Sequence, residues 1–175
     1  MRFGLAVLRI VVGVLMMGHG LQKLKGWFGG HGLEATGQTF GSLSLHPGKA
    51  HATASGISET LGGALLATGF LTPLGAAMIT GGMTVAIERV HLKNGPWVAD
   101  GGYEYNLVLI ASAFALSAAG PGALSLDDAL GTGRRGAGVA LAELAAGAAG
   151  GAAVIARARR ASAGEALDGQ APPAA

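Results

Sequence analysis

Leu74–Leu92 reads LGAAMITGGMTVAIERVHL. No charge interrupts it before Glu88 and Arg89, apolar and polar residues do not alternate along it, and Thr72-Pro73 stands just before it. A long apolar run without a period of two is helical. Proline suits a helix's first turn, where its missing N–H has no intrahelical acceptor to lose. A helix rises about 1.5 Å per residue, so roughly 20 residues cross a hydrocarbon layer of about 30 Å. The stretch therefore reads as a membrane helix that starts sharply and ends in a charged turn bearing a histidine.

Three more segments have the same character. Phe3–His19 is interrupted only by Arg9, Ala50–Phe70 by Glu59, and Tyr103–Ala119 carries Glu104 at its start, with Gly120-Pro121-Gly122 closing it. The whole chain agrees: of 175 residues, 50% are hydrophobic, 13% are charged, and mean hydropathy is +0.48. A soluble globule usually carries about 25% charged residues, and a disordered chain lacks this much apolar surface. A net charge of +2 offers little to a polyanion, so no nucleic-acid partner is expected. The 32 glycines follow no collagen repeat and suit close helix packing, which also permits self-association. Cysteine is absent, which excludes disulfides, thiolate metal sites and dithiol redox chemistry within this chain.

The expected fold class is all-α: an integral membrane four-helix bundle over residues 1–131, with an Ala/Gly-rich, weakly hydrophobic, partly disordered extension over 132–175. Within the extension, Ala137–Ala156 is expected to lie loosely at the surface, since Gly150-Gly151 weakens a helix interior. Ser162–Ala175 is expected to be a disordered tail. The Gly- and aromatic-rich loops Lys23–Lys49 and Lys93–Gly102 fall on one membrane side, with Trp27, Phe28, Trp97 and Tyr103 at the interface. Arg2, Arg134, Arg135, Arg157, Arg159 and Arg160 are assigned to the side of the termini, and Lys23, Lys25, Lys49, Arg89 and Lys93 to the other. On that count the positive-inside rule leans toward cytoplasmic termini of a multi-pass protein in a cell membrane.

The ionisable residues gather at one end. His19 and Lys23 close the first segment, Glu88, Arg89 and His91 the third, and Glu104 opens the fourth; Glu59 lies deepest, on a helix face with Ser55 and His51. A charge near the centre of a spanning helix costs roughly 2.5–3.5 kcal/mol and so faces the bundle interior with a partner. His19, Lys23, Glu59, Glu88, His91 and Glu104 are thus the candidate polar site, weighed against structural roles: snorkelling for Lys23, a helix N-terminal charge for Glu104. Glu88-x-x-His91 has metal-ligand spacing, but no second such pair exists, and no metal is assigned. At the other end Arg9 is expected to pair with Asp127 or Asp128 as a structural latch.

His19-Gly20-Leu21-Gln22-Lys23-Leu24, Trp27-Phe28-Gly29-Gly30, Glu59, Leu71-Thr72-Pro73, His91 with Asn94-Gly95, and Gly101-Gly102-Tyr103-Glu104-Tyr105 occur in a recognisable order. Together with Gly120-Pro121-Gly122 and Ser125-Leu126-Asp127 they resemble the DoxX family of bacterial membrane proteins over roughly residues 3–130. The resemblance implies a four-helix membrane protein linked to respiratory redox chemistry, since relatives include a subunit of thiosulfate:quinone oxidoreductase. The chain has no intrinsic redox group, so a membrane quinone or a partner subunit would carry the electrons. The first expectation is a component of a quinone-linked oxidoreductase. The alternative is a non-enzymatic membrane anchor or scaffold for soluble redox or stress-defence proteins. A small-molecule or proton carrier built on Glu59 ranks third.

Overall fold

Helix α1 (Arg2–Lys25) continues past His19 to two lysines and stops at Gly26, whose φ of 71° is left-handed. The following connection is not all loop: it contains a short helix, α2 (Gly32–Ser42), which packs on α1 and on α3 (Gly48–Thr68). Helix α3 ends where Gly69 turns left-handed and the Phe70 N–H bonds the Leu65 carbonyl at 3.0 Å. This closing loop satisfies carbonyls that the last helical turn leaves free. Helix α4 (Thr72–Ala86) starts at the Thr72-Pro73 step and passes directly into a π turn, Ile87–His91. Helix α5 (Glu104–Ala119) stops at Gly120, and the single turn α6 (Leu126–Ala129) precedes α7 (Ala137–Asp168).

The structure, a computed structural model, describes residues 2–168 and the side chains of 2–161. Every regular element among the described residues is helical. Helix α1 packs on α3, α3 on α4, α4 on α5 and α5 on α1, with Met16, Leu66, Ile79, Leu109 and Leu116 buried between them. Outward positions are also apolar: Val7, Leu15, Leu61, Leu74, Val108 and Leu141 are all exposed. Helices apolar on both faces are buried on one side and suit lipid on the other. Arg2–Lys25 and Ala137–Ala161 are each long and apolar enough to cross a membrane.

The extension departs from expectation. Helix α7 is not a loose surface helix but packs along α4 and α5. The reason is the glycines that a propensity argument counts against it. A Cβ on Gly147 would stand 2.7 Å from the Ala77 carbonyl oxygen, and one on Gly151 would stand 2.8 Å from that of Gly81. Two glycines four apart therefore open a track on which the α4 backbone lies, and close packing outweighs lost helix propensity. Glu143, inside that interface, is buried and accepts a 2.7 Å hydrogen bond from Thr80 Oγ1. Because α7 runs to Asp168, the start of the stretch expected to be disordered is helical; residues 169–175 lie outside the described residues.

Helix α7 also runs the length of the bundle. It starts beside the end of α5, where the Gly136 N–H bonds the Ala118 carbonyl at 3.0 Å. It reaches the opposite end where Arg159 meets Glu88 at 2.5 Å. The start of α1 sits at the first of these ends, since Ala123 N–H bonds the Arg2 carbonyl. The first and last described helix ends are thus at opposite ends of the bundle, not on the one side assumed in assigning the arginines.

Candidate functional site

His51, Ser55 and Glu59 follow one another at intervals of four on α3, so they form a single stripe along the helix. The stripe faces a cleft of about 600 Å³ between α3, α4 and α7. Helix α4 forms its floor through Ala77, Met78, Gly81, Gly82 and Val85. The α7 wall is made of small residues from Ala146 to Gly151 and Val154, and Phe40, Leu43 and Leu45 close one end. Lys23, His51, Glu59, Arg89 and His91 are the ionisable groups that reach it. An apolar cavity of this size with a few convergent polar groups is the usual form of a small-molecule site.

Glu59 is 5% exposed, and its carboxylate is satisfied by an ion pair with Lys23 and by the Ser55 hydroxyl, which donates to Oε1 at 3.3 Å. Lys23 therefore does not reach out to the headgroups; it turns in to neutralise a buried charge. His91 holds the Gly101 carbonyl at 2.7 Å through Nδ1. A carbonyl only accepts, so Nδ1 carries the proton shared with Gly101.

Of the six candidate residues, the cleft brings together Lys23, Glu59 and His91. Glu88 does not line the cleft with His91. The π turn between them, in which the Leu92 N–H bonds the Ile87 carbonyl, is wider than an α turn. Glu88 instead meets Arg159 at 2.5 Å and stands 2.8 Å from Arg89 Nε, without an aligned hydrogen bond between them. His19 is exposed and bonds Gln22 at 3.1 Å. Glu104 clasps its own preceding loop, accepting the Val98 N–H at 2.8 Å. Among the described residues no three His, Asp or Glu side chains converge as metal ligands would.

The Arg89 side chain borders the cleft, and Nη2 donates to the Ile155 carbonyl of α7 at 3.2 Å. The α7 wall was missed altogether, although Gly147-x-x-x-Gly151 is a legible small-residue spacing.

At the opposite end the expected Arg9–Asp127 pair is absent. Arg9, 1% exposed, donates to the carbonyls of Ala67, Pro121 (2.8 Å), Ala123 (3.0 Å) and Leu124 (2.6 Å). Asp127, also 1% exposed, accepts from the N–H groups of Leu71 and Thr72, both at 3.0 Å, and from the hydroxyls of Thr72 and Thr132. Asp128 pairs with Arg2 at 2.5 Å. The two buried charges clamp the same pair of segments, 67–72 and 121–132, through backbone groups rather than through each other. Burial pushes the Asp127 carboxyl up, but the hydrogen bonds from Thr72, Leu71 and Thr132 more than offset it and leave it below the usual range.

The model of the DoxX family matches residues 4–92, from the start of α1 through the π turn. A Bacillus subtilis (strain 168) protein named "Putative oxidoreductase CatD" is 32% identical over 124 residues, covering 71% of this chain and 84% of that protein. No solved structure matches. On the family match and this coverage, the chain belongs to the DoxX family.

Proposed function

We propose that the protein is a multi-pass membrane component of a quinone-linked oxidoreductase system, and that the cleft between α3, α4 and α7 receives the quinone head group. One observation carries the reading: a cleft with apolar walls ends on the buried Glu59, neutralised by a partly exposed Lys23, with His91 on the same cleft. The relative whose name calls it an oxidoreductase supports the redox part of the reading. On this reading α7 belongs to the same membrane unit as residues 1–131, because it supplies one wall of the site.

A bound quinone accepts two electrons and two protons. The electrons come from another subunit or a soluble redox protein, since this chain has no cysteine to carry them. The protein's part is to bind, orient and supply protons. Small residues on α4 and α7 let a flat ring lie against the backbone. Lys23 holds its proton next to the Glu59 carboxylate, within reach of a carbonyl oxygen at that end of the cleft. His91, with Nδ1 tied to Gly101, takes a proton from water at Nε2 and passes it to the second carbonyl oxygen of the quinone.

Thermal unfolding of the detergent-purified protein with and without a short-chain quinone tests the proposal. Ligand at a hundredfold excess over Kd is expected to stabilise the wild type by about 2.7 kcal/mol. Glu59→Gln and His91→Ala are expected to fold and to lose that gain. A well-folded wild type with no gain would reject the quinone site and leave the scaffold reading in its place.

A further inference from the structure

The fold redistributes the basic residues between the two ends of the bundle. The sequence has 12 Lys and Arg. Lys23, Lys25, Lys49, Arg89 and Lys93 lie on the loops and helix ends at the cleft end of the bundle. Helix α7 carries Arg157, Arg159 and Arg160 to this same end, as the contacts of Arg159 with Glu88 and of Arg89 with the Ile155 carbonyl show. Only Arg2, Arg134, Arg135 and the buried Arg9 remain at the other end, where Arg9 is wholly engaged by carbonyls. Short loops with excess Lys and Arg stay in the cytoplasm. When the last three arginines are counted with the cleft end, eight of the 12 cations, two thirds, lie there.

We infer that the cleft end of the bundle is its cytoplasmic end. The start of α1 and the 120–136 loop then lie outside, the reverse of the orientation expected from the sequence. The assignment rests on the reading that the chain crosses the membrane. It has a chemical consequence: a soluble redox partner reaches the Lys23–Glu59 end from the cytoplasm, and the protons taken up there are cytoplasmic protons. The basic collar also sits at the leaflet that carries anionic headgroups, where each cation gains attraction.

The absence of cysteine makes the test direct. Single cysteines are placed in the full chain at exposed positions: Ser42→Cys and Ala161→Cys at the cleft end, and Gly133→Cys at the other. A Cβ at Gly133 meets nothing closer than 3.7 Å, so this change fits the fold. Right-side-out and inverted membrane vesicles are then treated with a membrane-impermeant maleimide. Gly133→Cys is expected to label in right-side-out vesicles, and Ser42→Cys and Ala161→Cys only in inverted ones. The reverse pattern would overturn the orientation while leaving the membrane reading intact. Ala161→Cys labelling together with Gly133→Cys would show that α7 does not cross and would remove the basis of the charge count. Labelling of all three in both vesicle types would overturn the membrane reading itself.

Discussion

The Lys23–Glu59 pair is the contact on which the proposed quinone site rests. Glu59 is nearly inaccessible, while the Lys23 side chain keeps about a quarter of its exposure (25%). Removing one partner of a buried pair leaves an uncompensated charge, which typically costs about 3–5 kcal/mol. Lys23→Met is therefore expected to lower stability by that order in thermal unfolding, and adding Glu59→Gln is expected to restore part of it. Non-restoration would mean that the two side chains stabilise the fold independently. At the other end Asp127 makes a pH-dependent contribution. Its folded pKa lies below an unfolded value of about 3.9. Its stabilisation is thus complete above that value and disappears as pH falls through the folded one. Wild type is expected to lose stability on acidification below about pH 4. Asp127→Asn is expected to cost about 1–3 kcal/mol at neutral pH and to flatten the acid limb.

At the scale of elements, the long helices α1, α3, α4 and α5 were legible because strong local signals bound their apolar runs, whereas α2 lies in a stretch expected to be loop. Thr72-Pro73 starts α4 and Gly120 stops α5 where composition places them. The deep position of Glu59 and its stripe with Ser55 and His51 follow from the helix period alone. What was not legible follows from tertiary contact or from backbone irregularity. The π turn at Ile87–His91 leaves no mark in residue types, and in it Arg89 and His91, but not Glu88, line the cleft. The packing of α7 depends on which glycines face α4, and composition cannot tell them apart. Gly150 and Gly151 make the point: a Cβ on Gly150 meets nothing within 4 Å, whereas one on Gly151 stands 2.7 Å from Thr84 Cβ. Gly150→Ala is expected to stabilise by about 0.5–1 kcal/mol, as glycine in a helix interior costs that much. Gly151→Ala is expected to destabilise and to weaken protection of α7 from hydrogen exchange. Equal effects from the two changes would argue against the α4–α7 interface.

On the scale of the whole molecule, the site belongs to no single helix pair. Helix α3 supplies the polar stripe, α1 its counter-charge, α4 the floor and α7 the small-residue wall. The DoxX model covers the first three of these but ends at residue 92, so α7 completes the cleft with residues that the family region does not contain. This makes the α7 wall the part of the account most exposed to test. The most direct measurement is photocrosslinking of the purified protein with a short photoreactive quinone, followed by mapping of the labelled peptides. Label is predicted on residues 51–59 of α3, 77–91 of α4 and its π turn, and 146–154 of α7, and is predicted to be displaced by excess unlabelled quinone. Displaceable label confined to α1 and α5, with none on α7, would contradict the cleft as the quinone site.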